Sequence, residues 1–258
     1  MARSGVSYSW LRNATLSTFD RLGYQIRRKR APGWGEDPYR DQQRLLEGTP
    51  TQVVFDVGAN AGDTVAQFRA LFPGALIHAF EPFPDAHRRL TDRFAADARV
   101  RTHLCAVTDA AGAAALHVHD ADATNSLLPT QPGAEAWAGS SDRCGPTTIE
   151  VRTVTLDGFC AAQGLTQVDV LKMDIQGGEV MALRGARGLL ERRAVRAIYV
   201  EVLFAPLYQG QAHFCDVSAI LTGHGYQLFG LYNLVQGEHG LGWADALFRP
   251  DPARPVSF

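Results

Sequence analysis

Val53-Val54-Phe55-Asp56-Val57-Gly58-Ala59-Asn60-Ala61-Gly62-Asp63-Thr64 is the stretch that decides the fold. Val53 to Phe55 is an apolar, β-branched run of the kind that forms a buried strand. Val65, Phe68 and Leu71-Phe72 then recur at helical spacing over 63–72, and Pro73-Gly74 stops them. Between the two lies a glycine-containing turn at the C-terminal end of a strand, where open α/β sheets bind ligands. Glycine lets the backbone approach a ligand with no Cβ in the way. Asp56, at the strand tip, can accept hydrogen bonds from an ammonium group. A dinucleotide site would want Gly-x-Gly-x-x-Gly with a pyrophosphate on the helix N-terminus. The spacing here is Asp-x-Gly-x-Asn-x-Gly, and Asp56 with Asp63 would repel a diphosphate. The turn suits a cationic cofactor.

The same alternation continues downstream. Leu76 to Phe80 reads as a strand, 84–96 as a helix with Leu90 and Phe94 inward, and Val100 to Val107 as a third strand. Later come a strand over Val168 to Met173, a helix over 178–191, a strand over Ala197 to Val202 and a helix over 212–223. Strand and helix alternating at this pitch imply βαβ units and a parallel sheet. Tyr226 to Tyr232 and Ala244 to Phe248 are the last two strands. The roughly ten residues between them are too few for a helical crossover, so they should pair antiparallel. Residues 109–155 fit less well. Ala114 to His119 and Ile149 to Val154 read as strands around a Gly/Ser/Pro-rich loop, 129–147, expected to form part of a lid.

Carboxylates recur at the strand tips. Glu81 lies 25 residues after Asp56, where a carboxylate can take both hydroxyls of a ribose. Asp174 ends the fourth parallel strand and faces the same crevice as a candidate general base, substrate anchor or metal ligand. Glu201 ends the next strand beside it. Two carboxylates on adjacent tips can share a divalent cation through hard oxygen ligation, or can serve only as hydrogen-bond acceptors. Glu179, in the first turn of the following helix, reads equally as a helix cap. Among the histidines, His213 is a candidate base. His78, His103, His117 and His119 read as core-edge residues, and His224 and His239 as loop residues. Trp34, Tyr39, Trp137, Tyr208 and Trp243, in or near loops, are aromatics that can stack on a ligand or simply pack.

Taken in order, the motifs resemble the FkbM family of S-adenosylmethionine-dependent O-methyltransferases. The resemblance is carried by Phe55-Asp56-Val57-Gly58-Ala59-Asn60-x-Gly62, Ala79-Phe80-Glu81-Pro82, Thr124-Asn125-Ser126-Leu127, Leu171-Lys172-Met173-Asp174-Ile175-Gln176-Gly177 with Glu179, and Tyr199-Val200-Glu201. Asp37-Pro38-Tyr39-x-Asp41-Gln42 upstream, and Leu207 to Gln211, Leu231-Tyr232-Asn233 and Asp245 to Phe248 downstream, extend it over roughly 37–250. It implies a Rossmann-like class I methyltransferase fold: a mostly parallel seven-stranded sheet with a C-terminal antiparallel hairpin. It implies S-adenosylmethionine as cofactor. Asp56, Gly58, Ala59, Asn60 and Gly62, with Thr64 beyond them, would hold the methionine part, and Glu81 with Pro82 the ribose. Cys105, Ala106, Asn125 and Ser126 would lie near the adenine, with Asp174 also facing the cofactor. The acceptor would be a hydroxyl on a sugar, glycoside, glycan or polyketide. Many members carry Glu where this chain has Gln176. Methyl transfer is an in-line displacement, in which alignment of the reactants supplies ~7–11 kcal/mol. Asp174, Glu201 and His213 are the candidates to take the hydroxyl proton.

Bulk properties agree with such an enzyme. The chain has 258 residues, 46% of them hydrophobic, and a net charge of −2, which gives no global field for nucleic acid. Its four cysteines, at 105, 144, 160 and 215, show no Cys-x-x-Cys spacing and read as reduced, as in the cytoplasm. No run approaches the roughly 20 apolar residues of a membrane span. The chain divides into an N-terminal segment, 1–50, and a cofactor-binding domain, 51–258. Within the first, Tyr8, Leu11, Phe19, Leu22 and Ile26 mark an amphipathic helix over 7–30 ending in Arg27-Arg28-Lys29-Arg30. Such a helix could dock on the main domain, contact a second subunit in a homodimer, or meet an anionic surface. Two other readings stay open at this point: a nicotinamide-dependent oxidoreductase, and a non-catalytic nucleoside-binding module.

Overall fold

Phe55 and Val57 of the first strand enter one hydrophobic cluster and Val54 the other, so the strand is buried on both faces. Alternation of side chains across a strand, with helices on each side, produces this two-sided burial. The computed structural model describes residues 33–138 and 144–253. The helix expected over 7–30, with its basic face, lies outside the described residues. Gly35–Phe258 forms one compact unit.

The strands are β1 (Val53–Val57), β2 (Leu76–Phe80), β3 (Val100–His103), β4 (Ala106–Val107), β5 (Gly112–His119), β6 (Cys144–Val154), β7 (Val168–Met173), β8 (Val195–Leu203), β9 (Tyr226–Gly237) and β10 (Gly240–Pro250). The helices are α1 (Pro38–Leu45), α2 (Asp63–Leu71), α3 (Pro84–Phe94), α4 (Glu135–Ala138), α5 (Leu156–Gln163), α6 (Glu179–Arg184), α7 (Arg187–Glu191) and α8 (Phe214–Gly223). Seven strands form the main sheet in the order β3-β2-β1-β7-β8-β10-β9. All pair parallel except β10, which is antiparallel to both β8 and β9. The α/β class, the seven-stranded sheet and the closing hairpin are therefore as expected. The hairpin is longer than its apolar core suggests, and Glu238 and His239 alone join its strands.

Three local readings are corrected. The strand expected over Val100 to Val107 breaks after His103: Cys105 N–H donates back to the His103 carbonyl (3.0 Å), and Leu104 is turned outward. The chain then enters a second, three-stranded sheet, β4-β6-β5, which sequence periodicity did not separate from the first. Helix α5 went unread. Finally, the helix expected over 178–191 is two helices, broken at Gly185-Ala186. A Cβ on Gly185 would stand 2.1 Å from the Thr108 carbonyl oxygen, so that strand end presses directly on the helix backbone. The Asp157 carboxylate then accepts the Gly188 and Leu189 N–H groups (2.6 and 2.9 Å), satisfying donors that the new helix start leaves over. Asp157→Ala is expected to cost about 1 kcal/mol, a fall of roughly 2–4 °C in thermal midpoint for a chain of this size. An unchanged melting curve would show that the carboxylate does not support the break.

Among the described residues, no helix is long and apolar enough to cross a membrane.

Candidate active site

The C-terminal ends of β1, β2, β7 and β8 bring the polar residues together. After β1 the backbone turns at Gly58 (φ 77°), where a Cβ would lie 1.9 Å from the Asp174 carbonyl oxygen. Only glycine permits that closeness between the two strand tips. The Gly58 and Ala59 N–H groups both donate to the Phe80 carbonyl (3.0 Å each). Asn60, also at positive φ (45°), donates its N–H to Glu81 Oε2 at 2.8 Å, and Phe83 N–H donates to Glu81 Oε1 at 2.8 Å. Glu81 is thus fixed in orientation by two backbone bonds. Burial pushes its carboxyl up to about 6, against the pull of those two bonds.

Asp56 lies on the other face of β1. It is wholly buried, lines neither cavity described below, and the ammonium it meets is that of Lys172, 3.0 Å from Oδ1. Lys172 also donates to the Gly58 carbonyl (3.0 Å) and stands 3.8 Å from Asp174. Burial alone would lower the Lys172 pKa, but the charges of Asp56 and Asp174 outweigh it and the net shift is upward. Asp56 is shifted upward as well, because burial outweighs its single short contact with a cation shared between two carboxylates. The ammonium therefore stays charged and clamps the turn after β1 through Asp56 and the Gly58 carbonyl.

Two cavities meet at the sheet edge. The first is lined by Gly58, Asn60, Glu81, Pro82, Cys105, Ala106, Leu116, Asn125, Leu127 and Asp174, among others. Of the expected cofactor residues, Ala59, Gly62, Thr64 and Ser126 are outside this lining, with Asp56. Gly62 packs under Leu90 and Phe94, and Ser126 supports the loop after β7 by donating to the Gln176 carbonyl (2.7 Å). Asn125 accepts the His119 N–H (2.7 Å), while its Nδ2 is buried with no partner among the described residues. Such an orphan donor fits an acceptor nitrogen on a bound heterocycle. Glu81 offers acceptors to a diol, and Gly58 gives the backbone cradle. These features fit S-adenosylmethionine.

The second cavity is lined by His119, Thr124, Thr130, Ala134, Glu201, Leu203, Leu207, Tyr208 and Trp243. Ala123, Asp174 and Gln176 line both. Thr130 and Ala134 belong to the loop expected as a lid. Tyr208 and Trp243 are the expected aromatics found here, whereas Tyr39 packs against Phe68 and Tyr199, Trp137 against His239, and Trp34 is exposed. His213 stands exposed at the N-terminus of α8, where its N–H donates to Asp216 (2.9 Å), and it lines neither cavity. His78, buried, and His103, half-buried on the edge strand, stack on each other, and both are lowered to about 4 chiefly by burial. His119, read from sequence as a core-edge residue, lines the second cavity with its ring between the Thr124 and Thr130 hydroxyls (3.1 Å each).

Asp174 and Glu201 are joined by the Gln176 side chain, whose Nε2 donates to Asp174 Oδ1 (2.8 Å) and Glu201 Oε2 (2.9 Å). A donor group stands where a shared cation would have to sit, and no cluster of three or more potential metal ligands occurs among the described residues. The pair does not fit a divalent metal. Glu201 is raised well above the usual carboxylate range, by burial first and then by the charges of Asp174, Glu179 and Asp245. Glu179 does not cap its helix, whose N-cap Gly178 has no side-chain hydrogen bond; it ties the loop after β7 instead, by accepting the Ile175 and Gly177 N–H groups (3.0 and 3.3 Å).

Comparison with known proteins gives a consistent picture. Residues 56–228 match the Methyltransferase FkbM domain. The chain is similar to a 2-O-methyltransferase, NoeI, of Sinorhizobium fredii, 32% identical over 67% of this chain and 72% of the relative. It is also similar to the 31-O-demethyl-FK506 methyltransferase FkbM of Streptomyces tacrolimicus, 31% identical over 70% of this chain and 75% of the relative. Among solved structures, a precorrin-6y C5,15-methyltransferase from Geobacter metallireducens aligns over 83% of this chain and 87% of its own, at TM-score 0.45 and 11% identity.

Proposed function

Because the chain belongs to the FkbM methyltransferase family, we propose that it moves the methyl group of S-adenosylmethionine onto a hydroxyl of a sugar, glycoside or polyketide-type natural product. One observation carries the reading: Asp174 and Gln176 form a common wall between a cavity with nucleoside-type partners and a cavity lined by aromatics and carboxylates. The two relatives are named as an O-methyltransferase and as a methyltransferase of a demethylated macrolide position. Among the described residues, Cys105, Cys160 and Cys215 are free thiols, the first two buried, which supports a cytoplasmic setting.

The bound cofactor supplies an electrophilic methyl group on a sulfonium. The chain holds it through Glu81 at the ribose hydroxyls, Asn125 at the base and the Gly58 turn at the methionine end. Tyr208, Leu203, Leu207 and Trp243 give the acceptor an apolar, aromatic seat that excludes water. Asp174, common to both cavities, would hold the acceptor beside the bound cofactor, and the single hydrogen of the reacting hydroxyl would face Glu201. The cofactor would supply the methyl group, and the hydroxyl proton would pass to a carboxylate. Glu201 suits that proton best, since burial and the neighbouring negative charges raise its pKa and make it hold a proton more readily than an ordinary carboxylate.

The test is transfer of labelled methyl from S-adenosylmethionine to a panel of hydroxylated glycosides and macrolides, with amino counterparts alongside. Label in an ether is expected. Label in amines alone, or no binding of S-adenosylhomocysteine by calorimetry, would overturn the reading. A pH effect follows from Glu81. Its carboxyl titrates at about 6 in the free protein, and ribose hydroxyls need the ionised form. Affinity for S-adenosylhomocysteine is therefore held above that pH and lost below it, by about tenfold between pH 7.5 and pH 5. Glu81→Gln should bind more weakly and lose this component of the pH dependence. Identical slopes in both proteins would remove Glu81 from the ribose.

A further inference from the structure

Gln176 lines both cavities. Its backbone is held at positive φ (55°), which a non-glycine residue adopts only where its surroundings enforce it. The Ser126 hydroxyl fixes its carbonyl at 2.7 Å. Its side-chain nitrogen faces Asp174 and Glu201, and its side-chain oxygen accepts the Tyr208 hydroxyl at 2.7 Å. The reverse amide orientation would set an oxygen against two carboxylates, so the network itself decides which atom is nitrogen. Both amide hydrogens are thereby committed, one to each carboxylate.

We propose that Gln176 is a positioning residue that orients Asp174 and Glu201 and favours the ionised form of the pair toward the sulfonium by giving each of them one amide N–H. The proposal rests on the methyl-transfer reading above. Without that bridge, the two carboxylates would hold a shared proton still more tightly, since like charges favour the neutral form. The surrounding groups press the same way. Glu179 from α6 and Asp245 from β10 add negative charge, Tyr199 from β8 donates its hydroxyl to Asp245 (2.7 Å), and Asp56 competes for Lys172, the cation nearest the pair. His119 lies across the acceptor cavity, stacked on Tyr208. Lys172 reaches Asp174 at 3.8 Å, and the Gln176 amide is the group that donates to both members.

The consequence is measurable without knowing the acceptor, because S-adenosylmethionine and S-adenosylhomocysteine differ by a methyl and one positive charge. A doubly ionised pair favours the charged compound, and a pair holding a proton favours it less. Calorimetric affinities of both compounds should be measured from pH 6 to pH 9 for wild type, Gln176→Met and Gln176→Asn. In both variants the preference for S-adenosylmethionine at pH 7 should fall about tenfold, as for a one-unit rise in the pKa of the pair, and should recover at high pH. Gln176→Asn, which tolerates the same positive φ but carries its amide one methylene short of the pair, carries the test if Gln176→Met melts early. Equal loss of both compounds at every pH would mark a structural role and overturn the proposal, as would an unchanged preference. If wild type binds neither compound, the methyl-transfer reading itself falls.

Discussion

Lys172→Met is expected to destabilise the protein by about 3–5 kcal/mol, the range for removing one partner of a buried ion pair. The methionine fills the same volume, but the fully buried Asp56 carboxylate loses its ammonium and the Gly58 carbonyl loses a donor. The sign of the pH dependence follows. Unpaired and buried, Asp56 has a folded-state pKa raised further above its unfolded value, so the variant is least penalised in acid and most penalised as pH rises through that raised pKa. Denaturant unfolding at pH 5 and pH 8 should show the larger loss at pH 8. Equal losses, or a loss under 1 kcal/mol, would mean that Lys172 is not the counter-charge that holds the loop. Lys172→Met with Asp56→Asn should regain much of the stability, because the buried charge is then gone from both sides.

Glu201→Gln is the second large change. It is expected to lower kcat by about 10²–10⁴ if Glu201 takes the hydroxyl proton, with a smaller effect on KM, since volume and polarity at the cavity wall are kept. Wild-type kcat should rise with pH through the raised pKa of Glu201, and the variant should lack that limb. Asp174→Asn should reduce turnover at least about tenfold through lost orientation. Turnover near wild type in Glu201→Gln, with collapse in Asp174→Asn, would move the base to Asp174.

The chain announced its main sheet because the relevant information is local. Strands β1, β2, β7 and β8 are mostly apolar runs, and β2, β7 and β8 each carry a carboxylate at or near the tip. Glu81, Asp174 and Glu201 were legible for that reason. What was illegible depends on distant partners. Helices α6 and α7 look like one periodic segment, and the break at Gly185 comes from a carbonyl at Thr108. The direction of Asp56 was hidden because β1 is apolar on both faces, so parity gives no polar side to assign it to. Lys172, placed among buried residues of β7, carried a usable signal: a lysine in such a run requires a buried counter-charge. Gln176 carried none, since an uncharged amide in a turn is ordinary until its three partners, drawn from residues up to 32 positions away, are in place.

The wall made by Ala123, Asp174 and Gln176 also bears on redesign of the protein. On the proposed reading, exchanges there alter donor and acceptor recognition together, so a library aimed at them would confuse altered scope with crippled cofactor use. Leu203, Leu207, Thr130 and Trp243 line the second compartment alone. Diversity introduced at those four positions is expected to retune which scaffolds are alkylated while leaving the first compartment's lining untouched.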